Sequence, residues 1–515
     1  MLRRLFLAAW VLLVLAVPPL AQADIRSPSA VTVAAKADDA LVLAIQEAKA
    51  DIDNTDLKHA MQVLKTVRKR QDFEAAASPL RHGVILMIAG LAADAEDWPA
   101  ATEAIVVASE MPDAVAVDWT LRLDIAGPTD APEEALRSLT VLAQRFPTEF
   151  DALSDGKLYY WRHRARSLPD GQARLFALTD AMERAGLAPD DVFTDLSALW
   201  SEYALGLLSN GRLAEAQAVA GRITDPDERI AMRADKRFDR LGAAGPDRFS
   251  PRIGAMARLK QVDALIPAHP ALLAGQTART EALIALNRAP EALVVIEAAL
   301  GRVTTNPKAF TDLTEALAWA HNVHNTALKL VGRRAEAIEA LAVGARVPEG
   351  GRANVSQTLN LGGAQLSGGS PKAALATVAT VRLDQMSPYG QSVGLFVRSC
   401  AAATLGDMAT AEAALKPLEA LGADGRANRF WARLCRDDLD GAAALLIERL
   451  KDPLERGKAL LILQDKPALP FASDHDRMLD RRAAALRARP DIVAAVAPIG
   501  RIESYSAEDL WQTAP

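Results

Sequence analysis

The segment LSNGRLAEAQAVAGRI at 208–223 has three close parallels: LNRAPEALVVIEAAL at 286–300, LVGRRAEAIEALAVG at 330–344 and LSGGSPKAALATVAT at 366–380. Each runs from a short turn of small or polar residues into an alanine-rich apolar stretch. A chain that repeats a turn and a helix start rebuilds one packing unit several times, and this constrains its fold more than any other feature. Before the first turn, Trp200, Tyr203, Ala204 and Leu207 fall at i, i+3, i+4 and i+7, one face of a helix. Asn210-Gly211 stops that helix, because Asn and Gly tolerate the left-handed cap conformation. A second helix starts near Leu213, puts Ala216, Val219, Ala220 and Ile223 on one face, and is expected to end at Asp225-Pro226. Aligned on Ala216, the equivalent small residues are Ala292, Ala337, Ala373, Ala411 and Ala442. The long interval between Ala216 and Ala292 leaves room for two units, the copy between them being degenerate. One hairpin cannot bury both faces of its helices. Stacking the next copy against it does so, and alanine at the crossing lets the two helices approach closely.

The pattern of a large residue, Leu-Gly, a small residue and a closing proline resembles the tetratricopeptide repeat. Trp200 with Tyr203-Ala204 fits its first part, Leu361-Gly362 resembles the Leu-Gly pair one residue out of register, and Pro226, Pro307 and Pro348 fall near the expected ends. The unit length is close to the ~34 residues of that family. The resemblance implies an all-α fold, a superhelical α-solenoid of stacked antiparallel helix pairs. The family motif is structural, so it carries no catalytic residues. Weaker copies are read at 79–111, 114–147 and 150–187, with turns at 95–101, 127–135 and 167–171, and 437–463 continues the series. The expected organisation is a lead-in and helical cap over 24–78, the lead-in running from 24 to 37, then degenerate repeats over 79–466. A C-terminal capping helix (474–488) and tail complete 467–515, with a short helix at 505–511.

Residues 1–23 are read apart from this series. Arg3 and Arg4 precede an unbroken apolar run from Leu5 to Val17, and Ala21-Gln22-Ala23 is a small-x-small cleavage site. That is the form of a secretory signal peptide cleaved after Ala23. The apolar run is shorter than the ~20 residues a spanning helix needs. The expected location is therefore the periplasm, with no membrane span in the mature chain. The net charge of −6 becomes −8 once the two arginines leave with the signal, which disfavours a nucleic-acid partner held by phosphate neutralisation. Hydrophobic residues make up 50% of the chain and aromatic ones only 5%, which suits helix packed on helix. Cys400 and Cys435, one repeat apart, fall on neighbouring parallel helices in this reading. They are either bridged, as an exported compartment permits, or two buried thiols.

A search for chemistry finds little. GxxxxGK[ST], HExxH and CxxC are absent, and no cofactor is expected. His321 and His324, at i, i+3, are either two metal ligands lacking a third or partly buried histidines at packing positions, and the second reading is preferred. On the adjacent face, Asn322, Thr326 and Lys329 fall at i, i+4 and i+7. In tetratricopeptide-like proteins that first-helix face lines the concave groove, where amide and ammonium groups suit an extended peptide or its terminal carboxylate. An ordinary solvated face is the plain alternative. LYYWRHRARSL at 158–168 offers Tyr160, Arg164 and His163 as a second contact patch, the alternative being that Leu158, Tyr159 and Trp161 are core with arginine stems at the rim. Asp474 and Asp476 read as the acidic start of a helix. The expected function is a non-catalytic exported scaffold binding a protein or peptide of the cell envelope. The alternatives are a structural subunit of an envelope complex, or an envelope hydrolase built on a solenoid.

Overall fold

One residue in each of nine helix–helix turns takes a left-handed backbone. Thr55, Glu96, Asp130, Gly211, Asn287, Gly332, Gly369, Gly406 and Asp437 have φ between 49° and 81°. This is the physical content of the repeated small-or-polar turn: the left-handed residue satisfies the last carbonyls of one helix and reverses the chain into the next. In several of these turns an aspartate then opens the second helix. Asp56, Asp97, Asp407 and Asp438 each accept a hydrogen bond from the backbone N–H three residues on.

The computed structural model describes residues 28–506 except 154, 188–191, 243–244, 246–247 and 350. Residues 1–23, read as a signal, lie outside the described residues, as does most of 505–511. Among the described residues all regular structure is helical, with three isolated β-bridges. The chain forms two compact units, dividing after Phe150 within the stretch read as one array. In the first, α1 (Pro28–Asp53) pairs with α2 (Leu57–Arg68), α3 (Ser78–Asp94) with α4 (Trp98–Ser109), and α5 (Ala116–Ala126) with α6 (Pro132–Arg145). Helix α1 begins inside the stretch read as a lead-in, and its Ala37 and Leu41 are fully buried, so the pairs start earlier than expected. A short α7 (Pro147–Asp151) spans the division.

The second unit holds α8 (Asp155–Ala165) with α9 (Gly171–Ala185), α10 (Ser197–Ser209) with α11 (Leu213–Ala220), α12 (Pro226–Ala234) with α13 (Pro251–Leu265), and α14 (Leu273–Ala285) with α15 (Ala289–Thr305). The series continues with α16 (Leu313–Leu330) and α17 (Arg334–Arg346), α18 (Val355–Ser367) and α19 (Pro371–Ala379), α20 (Pro388–Thr404) and α21 (Met408–Ala420), and α22 (Gly422–Cys435) and α23 (Leu439–Lys451). It closes with α24 (Arg456–Ile462), α25 (Asp474–Arg487) and α26 (Pro490–Val496). Each first helix packs on its own second helix, and α14 on α16, α18 on α20 and α20 on α22 pack first helix to first helix. The fold is an α-solenoid of stacked antiparallel pairs.

The small residue recurs at the fourth position of the second helix. Ala60, Ala101, Ala135, Ala216, Ala292, Ala374, Ala411 and Ala442 are 0% exposed there, and Ala337 is 2% exposed. Ala374 corrects the sequence register by one residue: Ala373 faces solvent. The degenerate copy between Ala216 and Ala292 is the α12–α13 pair. Its fourth position is Gly254, where a Cβ would stand 2.5 Å from the Thr224 carbonyl oxygen, so even alanine is too large. Asp225-Pro226 does not end α11. Asp225 caps α12, accepting from the Glu228 N–H at 2.8 Å, with Pro226 in the first turn, where its missing N–H costs nothing.

The array of the second unit closes on itself. Helix α12 packs against α24, and Ala234 shares an apolar cluster with Phe430, Leu446 and Leu460. Backbone bonds seal the contact: Lys236 N–H donates to Ile499 O at 3.0 Å, and Arg501 N–H to Ala234 O at 2.9 Å. Arg501 also donates to Asp239 at 3.0 Å. Asp465 N–H donates to Glu503 O at 2.9 Å, which docks 500–505 on the body.

Candidate functional site

Helix α16 carries the polar face that the sequence nominates, and the structure adds one aromatic to it. Trp319 lies three residues before Asn322, so Trp319, Asn322, Thr326 and Lys329 form one stripe. The Trp319 ring is 48% exposed, and its indole N–H donates to Glu281 on α14 at 3.0 Å. Burial pushes the Glu281 carboxyl up, opposed by that indole bond. On the other side, Asn360 of α18 donates to the Asn322 side-chain oxygen at 3.2 Å and to Gln357 at 3.4 Å. Three successive first helices thus meet at this stripe. Thr326 spends its hydroxyl on the Asn322 carbonyl, 3.3 Å away on its own helix. Lys329 is half-buried, within electrostatic reach of Asp476 and Asp480 of α25. Burial pushes its ammonium below the usual lysine range, and Asp476 opposes that shift. The chain's own C-terminal helix therefore lies near this end of the stripe, and Asn322 with Trp319 forms its open part. Trp319 was legible in the sequence from its spacing to Asn322, but tryptophan at that position reads first as core.

His321 and His324 face the packing side. Gly344 of α17 makes room for His321, since a Cβ there would come 3.0 Å from the histidine Cβ. Burial, and then the neighbouring His324, push His321 down to about 4. His324 Nε2 stands 3.6 Å from Glu297. Asp476 is committed to the start of α25, where its carboxylate accepts from the Ser473 N–H at 3.0 Å and Ser473 Oγ accepts from Asp476 N–H at 2.9 Å.

Helix α8 divides its aromatic residues between core and surface. Leu158 and Trp161 are buried at 6% and 3%, whereas Tyr159 and Tyr160 are 44% and 50% exposed. Tyr159 thus leaves the core assigned to it, because Leu158, Trp161 and Ala165 occupy the inward face. Tyr160 packs edge-on against Trp161, with ring centroids 4.8 Å apart. Arg164 lies in a small depression with Asp424, Asp452 and Glu455, and His163 pairs with Asp424. This patch and the α16 stripe sit on different repeats with different neighbours.

Sequence reasoning missed a cavity of about 130 Å³ inside the closure. Helices α9, α10, α12 and α24 wall it, bringing Glu202, Glu228 and Lys458 to one place from opposite ends of the unit. Phe176, Leu205, Met232 and Phe238 supply its apolar side. Glu202 is held by Arg162 at 2.7 Å and Arg166 at 2.6 Å. Glu228 accepts from the Ser201 hydroxyl at 2.7 Å, and burial pushes its carboxyl up. No local pattern announces such a site, because Glu228 reads as a first-turn acid and Lys458 as a surface lysine.

Cys400 of α20 and Cys435 of α22 form a disulfide between adjacent first helices, with Cα atoms 5.3 Å apart. Both residues are buried within one apolar cluster. Arg482 of α25 donates to the Leu434 carbonyl at 2.9 Å and the Cys435 carbonyl at 2.6 Å, so the C-terminal helix caps the end of α22.

Compared with known proteins, the chain matches no family model, and no curated protein matches it by sequence. Solved structures align over most of its length. The APC/C hetero-tetramer Cut9-Hcn1 is 16% identical over 88% of this chain and 89% of that one, with a TM-score of 0.29. Yeast Tom70 is 10% identical over 89% and 98%, at 0.32. A Rap protein complexed with competence and sporulation factor is 12% identical over 87% and 99%, at 0.31.

Proposed function

We propose that this chain is an exported, non-catalytic scaffold that binds an extended segment of another protein across α14, α16 and α18. The observation that carries this reading is Trp319, a half-exposed aromatic fixed by its indole bond to Glu281 beside the Asn322–Asn360 amide pair. A rigid aromatic next to amides is the chemistry of a contact anchor: the ring supplies apolar area at little entropic cost, and amide groups satisfy a bound backbone. Stacked helices hold these groups in place, so the partner bears most of the ordering entropy. The cavity does place two carboxylates together, as a hydrolase would require. Glu202 is committed to two arginines, which favours the non-catalytic reading.

Export is supported by the form of residues 1–23 and by the Cys400–Cys435 disulfide, which an oxidising compartment permits. The expected partner is a protein or peptide of the cell envelope.

A photo-reactive residue placed at 319 in intact cells tests the binding reading. The control is the same residue at Val294, 68% exposed on the second helix α15. A discrete adduct at 319 that is absent at 294, and lost in Asn322→Ala, is expected. Equal labelling at both positions, or none at 319, rejects it. Mass spectrometry of the exported protein is expected to find Asp24 as its first residue, the product of cleavage after Ala23.

A further inference from the structure

Among the described residues, the cavity behind the closure contains one cation and one anion that the protein leaves unmatched. Its charged lining comprises Arg166, Arg237 and Lys458 against Glu202, Asp227 and Glu228. Four of these six are already paired. Arg166 binds Glu202 at 2.6 Å, Arg237 binds Asp235 at 2.6 Å, and Asp227 meets Lys466 at 3.0 Å. Among the described residues, Lys458 and Glu228 make no ion pair with each other or with anything else.

Each stands among charges of both signs without closing an ion pair. Lys458 lines the cavity and is exposed. Burial around it, followed by the Arg166 guanidinium, pushes its ammonium down, and the Glu455, Glu202 and Glu228 carboxylates oppose that shift. Glu228 keeps one hydroxyl partner, Ser201; burial, then the Glu202 carboxylate, push it up, and the Ser201 bond and the Lys458 ammonium oppose that shift. A partly buried charge without a close ion-pair partner is stabilised by an opposite charge that a ligand brings into contact.

We infer that this cavity is a binding site for a small zwitterion of the free amino-acid type. The ligand carboxylate lies against Lys458 and its ammonium against Glu228. Its aliphatic side chain lies on the wall formed by Phe176, Met232 and Phe238. The volume limits the ligand: about 130 Å³ is close to the ~150 Å³ engineered cavity that accepts benzene, so a ligand of about six to nine non-hydrogen atoms fits. The site belongs to the closed form, because Glu228 and Lys458 come from α12 and α24, the two helices that meet there. Occupancy therefore stabilises the closure.

The test is calorimetric titration and thermal unfolding of the full chain with L-valine, N-acetyl-L-valine and L-valinamide. L-Valine is expected to bind and raise the melting temperature. Either blocked form is expected to bind at least tenfold more weakly, since each lacks one of the two charges. Lys458→Met and Glu228→Gln are each expected to lower L-valine affinity tenfold or more, with the circular dichroism spectrum unchanged. The inference is overturned if L-valine neither binds nor shifts the melting temperature at millimolar concentration. It is also overturned if N-acetyl-L-valine or L-valinamide binds as well as L-valine. The blocked ligands use the unaltered protein, so the test survives a variant that fails to fold.

Discussion

Ala373 and Ala374 are adjacent and chemically identical, yet one faces solvent and the other is 0% exposed. The difference is their position on α19, where the fourth residue lies on the face packed against the core and the third does not. The same position holds alanine in nine pairs and glycine in α13. An added side chain there has no space to enter, and overpacking a core position costs about 1–3 kcal/mol. Ala374→Leu is expected to lower the urea unfolding free energy by about that amount. Ala373→Leu is expected to stay within about 0.5 kcal/mol of the parent, as surface substitutions do. Equal losses from the two would show that the register assigned to α19 is wrong.

Helices α20 and α22 run parallel as neighbouring first helices, and the Cys400–Cys435 bridge ties them across a sequence separation of 35 residues. Closing a loop of that length removes unfolded-state entropy worth about 3–4 kcal/mol at room temperature in the chain-entropy account. The double variant Cys400→Ala, Cys435→Ala is expected to lose stability of that order in denaturant titration. Both sulfurs lie within an apolar cluster that alanine only partly fills, so a small packing loss adds to the entropic one. An unchanged midpoint would mean that α20 and α22 are already held together by packing alone.

In an open solenoid the terminal pair has a neighbour on one side only and frays first. The second unit removes that weakness by packing α24 onto α12. Amides of 459–463 are therefore expected to exchange with solvent as slowly as those of the central helix α16. Exchange at the rate of a frayed end would contradict the closure. Asp239 is one of its fasteners. Its hydrogen bonds to Arg501, chiefly, and to Arg248 hold its carboxyl down to about 2. A carboxyl whose pKa is lower folded than unfolded stabilises the fold above the unfolded value of ~4 and loses that contribution as the pH falls toward 2. Exchange in α12 and α24 is thus expected to rise selectively below about pH 4, and Asp239→Asn is expected to raise it at neutral pH.

The repeated turn and the recurring alanine of the second helix at 216, 292, 337, 411 and 442 were legible in the sequence, because they arise from contacts within about 40 residues. The Asn322 face was legible for the same reason: Asn322, Thr326 and Lys329 on one helix declare a stripe by spacing alone. Two of its properties were not. Lys329 is half-buried with the Asp476 and Asp480 carboxylates of α25 acting on it, and the Trp319 indole is bonded to Glu281, because each depends on a helix from another part of the chain. The cavity was still further from view. Ser201, Glu228 and Lys458 are ordinary where they stand in the sequence, and they acquire a shared environment only when α12 meets α24. Local periodicity determined the helices and their pairing. Closure, which depends on long-range burial and on backbone bonds between 234–236 and 499–501, decided which charges lie buried together and which remain unpaired.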